Sequence, residues 1–185
     1  MLAVMHSPNE TLLPQGFPGG LLRRLRHSDL TAFQAYRAIP ELGRFQGWSP
    51  MSEAEALEFL SVMNEALIFT PGEWVQLGIA ESESDQLIGD IGLFLSEDGF
   101  AGRVGFTLTP SAQGRGIATS AVRQALRIFF RATSARHVEG ITDSRNVASI
   151  RLLERIGFRH HETHTAVFRG EACTEETYLF PRYDS

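Results

Sequence analysis

The sequence predicts an α+β domain: one mixed, mostly antiparallel sheet with helices packed on it. Three observations carry that expectation. Residues 74–80, 87–94 and 103–109 (WVQLGIA, LIGDIGLF, RVGFTLT) are short β-rich runs parted by ESESD and SEDGFAG, the pattern of an antiparallel meander. Beyond Pro110 the apolar period lengthens, and a helix, a strand (137–142) and a second helix follow in turn. The chain then reaches two more β-rich runs, 159–168 and 174–180, turned at Arg169 and Gly170.

The elements can be justified in order. Residues 6–20 are rich in Pro and Gly, so residues 1–20 are expected to form an irregular N-terminal arm. Residues 21–26 form a first strand. Ser28 or Asp29 caps a helix that reaches Ala38 and stops at Pro40. Ser52 and Glu55 make a capping box, and the helix they open carries Ala56, Phe59, Leu60 and Met63 on one face. After the meander, Ala118, Ala121, Val122, Ala125, Leu126, Ile128 and Phe129 mark the buried stripe of a helix whose other side holds Arg123, Gln124, Arg127 and Arg131. The second helix spans residues 146–156. Gly157 follows as a left-handed C′ residue, with Phe158 folding back onto Leu153 in a Schellman cap.

Bulk properties bound the function. A chain of 185 residues fits a single domain, 1–185, with one sizeable core. With 43% apolar and 21% charged residues it has a globular composition. No run approaches the roughly 20 apolar residues of a membrane helix, and MLAVMHSPNE lacks the signal-peptide pattern. The lone Cys173 excludes an intramolecular disulfide and points to a reducing cytoplasm. It reads as a packed strand residue rather than a nucleophile. The net charge is −5 with no basic run beyond LLRRLR, which argues against nucleic acid and weakly favours cationic substrates. His160, His161 and His164 lack a completing carboxylate or cysteine set, so no metal is expected.

The stretch QGRGIATSA (113–121) carries the chemistry. A helix N-terminus has unpaired N–H groups and an effective charge of about +0.5, which together bind phosphate. Gly114 and Gly116 let a phosphate approach the backbone and tolerate the positive φ that turns N–H groups inward. Arg115 adds charge, and Ala118 keeps the first turn slim. The stretch lacks the G-x-x-x-x-G-K-[ST] of a P-loop. It also departs from a dinucleotide fingerprint, because Pro110–Ala112 separate it from the strand and Thr119 holds the third glycine position.

With its flanks, this stretch resembles a known family. V-G-F-T-L-T-P-S-A-Q-G-R-G-I-A and the later N-V-A-S-I-R-L-L-E-R-I-G-F resemble the acetyl-CoA-binding core of the GNAT superfamily of N-acetyltransferases, and more closely its RimJ/RimL-like branch, with aminoglycoside acetyltransferases nearby. The motifs cover residues 104–158; LRRLRHSDL and the terminal hairpin extend the likeness over nearly the whole chain. The resemblance implies a sheet splayed between its fourth and fifth strands, flanked by about four helices, with acetyl-CoA as co-substrate. Gln113, Gly114, Arg115, Gly116, Ile117, Ala118 and Thr119 would hold the pyrophosphate. Phe106, Thr107 and Leu108 would offer strand backbone to the pantetheine arm, and the acetyl thioester would lie in the gap before residues 138–142. Asn146 would bond to the CoA arm, with Ser149 facing the sulfur.

The implied reaction is direct attack of an amine on the thioester in a ternary complex. A strand N–H near Leu108 is the expected oxyanion donor. Many relatives carry a Tyr acid where this chain has Leu153, so Ser149 is taken as the general acid. Glu139 is the first candidate base, with Glu81, Asp90 or a chain of waters as alternatives. Phe45, Tyr36, Trp48 and Trp74 either line the acceptor pocket or pack the core, and packing is favoured for Trp74. The acceptor is a peptide or protein N-terminus, or a small-molecule amine such as an aminoglycoside. The P-E-x-x-R-like run in YRAIPELGRFQGW does not choose between them. A CoA-sensing module without turnover is the alternative function, and a Rossmann-like nucleotide binder a third. The expected state is a monomer or homodimer in the cytoplasm, with neither nucleic acid nor membrane as partner.

Overall fold

The computed structural model describes residues 12–182. Eight strands form one open sheet in the order β1-β2-β3-β4-β5-β6-β8-β7: β1 Gln15–Phe17, β2 Gly20–Arg24, β3 Trp74–Ala80, β4 Leu87–Leu95, β5 Ala101–Leu108, β6 His137–Asp143, β7 Arg159–Phe168 and β8 Glu171–Pro181. All neighbours are antiparallel except β5 and β6. Five helices accompany them: α1 Leu30–Arg37, α2 Pro40–Gly43, α3 Glu53–Glu65, α4 Ile117–Ala132 and α5 Val147–Ile156. The mixed, mostly antiparallel α+β architecture is therefore as the sequence predicts.

Two local expectations need correction. Within the arm expected to be irregular, residues 15–17 pair with β2, because Gly19 takes φ +94° and closes a tight hairpin. Residues 1–11 of that arm lie outside the described residues. Pro40 does end α1, but it also starts α2 as its first residue. A fixed φ and a missing N–H suit that position. The extra strand moves the expected splay from the fourth and fifth strands to β5 and β6.

The sheet separates two apolar clusters. On one face Phe33, Tyr36, Ala56 and Leu60 of α1 and α3 pack with Leu25 and Leu87. On the other, Ala121, Val122, Ala125 and Phe129 of α4 and Leu153 of α5 pack on Ile79, Ile91, Val104 and Val138. The capping box at Ser52 and Glu55 is present, with Glu55 Oε2 accepting from Ser52 N at 2.7 Å. At the end of α5, Gly157 has φ +116°, its N–H donates to Glu154 O, and Phe158 N–H donates to Leu153 O at 3.0 Å. That is the Schellman pairing expected from Gly157.

Candidate active site

The parallel pair β5–β6 is hydrogen-bonded over three registers alone: Ala101 with His137, Gly102 with Val138, Arg103 with Glu139. At this apex no side chain fits at Gly102, where a Cβ would lie 2.4 Å from the Phe129 ring. Beyond it the strands part. β5 stays paired to β4 and β6 to β8, so each strand turns one unpaired edge to the gap, and the β5 edge is the one that leads to the glycine loop.

Ladder phase decides what that edge offers. Thr109 N–H donates to Ile88 O at 2.8 Å, so alternate residues Gly105 and Thr107 bond to β4 while Phe106 and Leu108 turn their N–H and C=O into the gap. Both carbonyls are taken: Gln46 Nε2 donates to Phe106 O at 3.1 Å, and Gln113 Nε2 donates to Leu108 O at 3.0 Å. The N–H groups of Phe106 and Leu108 have no partner among the described residues. The edge is thereby biased towards donors, which suits a carbonyl oxygen acquiring negative charge.

A cleft of about 550 Å³ runs along this edge, and the residues expected to hold the cofactor line it, all but Arg115. Gly114 and Gly116 have φ +73° and +77°, and Gly116 is the N-cap of α4. A Cβ on either would meet no protein atom within 4 Å. Glycine is therefore required there by backbone conformation and by whatever approaches from outside, not by crowding within the fold. Arg115 turns away from the cleft toward Glu81, at 3.9 Å.

Opposite the loop, the start of α5 is held firmly. Asp143 accepts two guanidinium bonds from Arg145, at 2.9 and 2.7 Å, and these bonds hold its carboxyl below the ordinary Asp range. Asn146 caps the helix, its Oδ1 accepting from Ser149 N–H at 3.2 Å. Asn146 and Ser149 both line the cleft. Leu153 does not: it is 1% exposed and lies under Gly140, where a Cβ would come within 2.7 Å of it. The position where the family resemblance implies a Tyr acid is here part of the core.

The expected bases are not brought to the cleft. Glu139 sits at the paired apex and accepts from Arg103 Nε at 2.9 Å, with His137 at 3.8 Å. Asp90 is 1% exposed and held by Tyr36 OH, by Arg37 at 2.8 Å and by Gln76 at 2.6 Å. Glu81 accepts from Ser84 at 3.0 Å. Sequence reasoning missed Glu41 of α2, the carboxylate among the described residues that does line the cleft, together with Gln46, Arg151 and Arg155. A Pro followed by Glu is a helix-start signal as well as a stop signal, and that reading would have found Glu41.

Other expectations are resolved locally. Phe45 lines the cleft, whereas Tyr36 is buried under α1. Trp48 stacks on the Arg37 guanidinium, 4.4 Å from ring centre. Trp74 is not core: it is 48% exposed and packs against Phe94. Two of the three histidines pair across the β7–β8 hairpin, His160 with Glu176 at 2.7 Å and His164 with Glu175 at 3.3 Å. No group of metal-ligating side chains occurs among the described residues, and none of their helices is long and apolar enough to cross a membrane. Cys173 is buried in β8 opposite Ala166, away from the cleft.

A parallel pair that parts above three residues, with a glycine-turned loop at the mouth of α4 opening into the gap, belongs with this fold to one class of protein, the acyltransferases. The chain belongs to the GNAT acetyltransferase family, whose domain matches residues 21–159, and it is an acetyl-CoA-dependent acetyltransferase. It is similar to "Uncharacterized N-acetyltransferase p20" of Bacillus licheniformis, 22% identical over 161 residues that cover 86% of this chain and 89% of the relative. Its fold matches a GNAT-family acetyltransferase from Bacillus anthracis with TM-score 0.79 at 16% identity, over 91% and 98% of the two chains. It also matches the RimL ribosomal alpha-N-protein acetyltransferase in complex with coenzyme A, with TM-score 0.74 at 16% identity, over 88% and 94%.

Proposed function

We propose that acetyl-CoA lies extended along β5, and that its acetyl group passes directly to a primary amine in a ternary complex. The observation that carries this reading is the unpaired Phe106–Leu108 edge leading straight from the Gly114–Gly116 loop. The N–H groups of Ile117, Ala118 and Thr119, at the mouth of α4, receive the pyrophosphate, as helix N-termini do. The pantetheine arm follows β5 and bonds to Asn146. Arg115 meets the phosphates from the rim, once drawn from Glu81.

In the transfer, the amine nitrogen forms a bond to the thioester carbon and the carbon–sulfur bond breaks. Leu108 N–H, or its neighbour Phe106 N–H, stabilises the tetrahedral oxyanion. Ser149 gives the departing thiolate a proton and regains one, through water, from the attacking nitrogen, which must lose it to become an amide. Glu41 receives the acceptor's ammonium at the mouth of the cleft, and its proton leaves through water. Glu139 is not retained as the base, because its carboxylate is held at the closed apex by Arg103.

Two measurements test this. With acetyl-CoA and amine varied together, initial rates should give intersecting lines; parallel lines, the mark of a covalent acetyl-enzyme, would overturn direct transfer. Ser149→Ala should lower kcat by about 10²-fold, the lower end of general-acid effects, with acetyl-CoA affinity kept. Unchanged turnover would remove Ser149 as acid.

The burial of Leu153 supports a second reading, a CoA-binding sensor without turnover, which retained acetyl-CoA binding with no transfer to any amine would favour. For the acceptor, the RimL neighbour points to a peptide or protein N-terminus. We take the protein to act in the cytoplasm as a monomer or homodimer, without nucleic acid or membrane.

A further inference from the structure

Next to the cleft lies a second groove of about 480 Å³, lined by Arg44, Arg145 and Arg169 with Glu41, Glu171, Pro40 and Phe168. Glu41 lines both cavities. The three arginines come from three places in the chain: the residue after α2, the turn before α5, and the β7–β8 turn. Arg44 and Arg145 lie 5.0 and 5.9 Å from the centre of the Phe45 ring, whose edge enters the cofactor cleft. The basic groove therefore adjoins the part of that cleft lined by Glu41, Phe45 and Gln46.

The charges in it are not equivalent. Arg145 is neutralised by the bidentate Asp143. Arg169 donates to the main-chain carbonyls of Gln46, at 3.1 Å, and Trp48, so its charge is uncompensated. The Arg44 guanidinium has no hydrogen bond or ion pair among the described residues. Against these stand Glu41 on the cleft side and Glu171 on the hairpin side. All 17 basic residues of the chain are arginine, so each cation here is a planar fork that matches a carboxylate.

We infer that this groove is an acceptor subsite for an amine that carries a carboxylate close by, as in an acidic N-terminal peptide or a free amino acid. This rests on the acetyl-transfer reading. The acceptor's ammonium sits at Glu41, within reach of the thioester, and its carboxylate meets Arg44 and Arg169. A bipolar lining fits a bipolar ligand. The same lining disfavours a polycationic aminoglycoside, which would place ammonium groups against the Arg44 and Arg169 guanidiniums, neither of which has a carboxylate partner among the described residues.

The test is CoA release from the full chain with matched, C-terminally amidated peptides beginning Ser-Asp-Asp, Ser-Ala-Ala or Ser-Arg-Arg, and with free aspartate and kanamycin. The subsite predicts kcat/KM for the acidic peptide at least about tenfold above the alanine peptide, the scale of one charge-assisted hydrogen bond, and the arginine peptide and kanamycin lowest. Free aspartate tells a small acidic amine from a chain end. Raised salt should shrink the preference. Arg44→Glu should reverse the acidic-to-basic ratio. Arg44→Gln, which removes the charge without adding another, should bring it about halfway. Turnover indifferent to acceptor charge, or fastest with kanamycin, overturns the subsite and leaves acetyl transfer standing. No turnover with any amine overturns both.

Discussion

Valine at both Gly114 and Gly116 is expected to lower acetyl-CoA affinity by at least about 30-fold in calorimetric titration. Each glycine holds a left-handed φ, which costs a residue with a Cβ about 1–2 kcal/mol, and more if β-branched. Two such sites give about 2–4 kcal/mol, or about 30- to 1,000-fold at 1.4 kcal/mol per decade. No protein atom crowds either position, so the fold need not suffer. The loop can relax to negative φ, but its N–H groups then no longer converge, and the valine side chains occupy the space of the phosphate. Gly116→Asn separates the two causes, because Asn tolerates the left-handed region yet still fills space. Affinity kept by the asparagine variant would place the requirement in the backbone. Affinity kept by the double valine would mean that phosphate binds elsewhere.

Asp90→Ala is expected to be the most destabilising of these substitutions, by about 3–5 kcal/mol, the cost of stranding one member of a buried ion pair. Arg37 is 4% exposed, and its Nε already has no partner among the described residues. Without Asp90 its guanidinium would keep the rings of Phe33, Tyr36 and Trp48 and lose its counter-charge. The Tyr36 hydroxyl and the Gln76 amide would lose their acceptor as well. Burial, and then the Asp90 charge, push the Tyr36 phenol well above its ordinary range, so it cannot replace the lost anion. Against a total stability of about 5–15 kcal/mol, urea denaturation should show a large fall in midpoint. A stable Asp90→Ala protein that had lost turnover would instead return Asp90 to the list of bases.

The parts of the fold written in local sequence were legible. Turn residues marked the β3–β5 meander, the Ser52–Glu55 box opened α3, and Gly157 closed α5. The left-handed turn into α4 was legible because its requirement is local: two glycines before an amphipathic helix. What failed depended on partners distant in sequence. Gln15–Phe17 is a strand only because β2 lies beside it. Glu139 looked like a base because it sits in the splayed strand, but its registry with Arg103 places it where the strands still touch. Asp90 stood among the alternative bases because Tyr36 and Arg37, which hold it, lie more than fifty residues away in sequence. Arg169 reaches the Gln46 carbonyl from 123 residues away, and no spacing rule links it to the segment that carries Glu41 and Gln46.

The two glutamine side chains bonded to β5 carbonyls have a consequence for the protein's life in solution. A bare sheet edge is a template on which strands of other chains grow, and natural sheets guard against it. Here the bare edge lies inside a wedge that closes at residues 101–103, and the Gln46 and Gln113 amides already occupy its carbonyls. An incoming strand needs donors and acceptors in alternation; this edge presents the donors and withholds the acceptors. The gap thus refuses the polypeptide that would turn the enzyme into an aggregate, and on the proposed reading it still admits a slender cofactor arm through its free N–H groups.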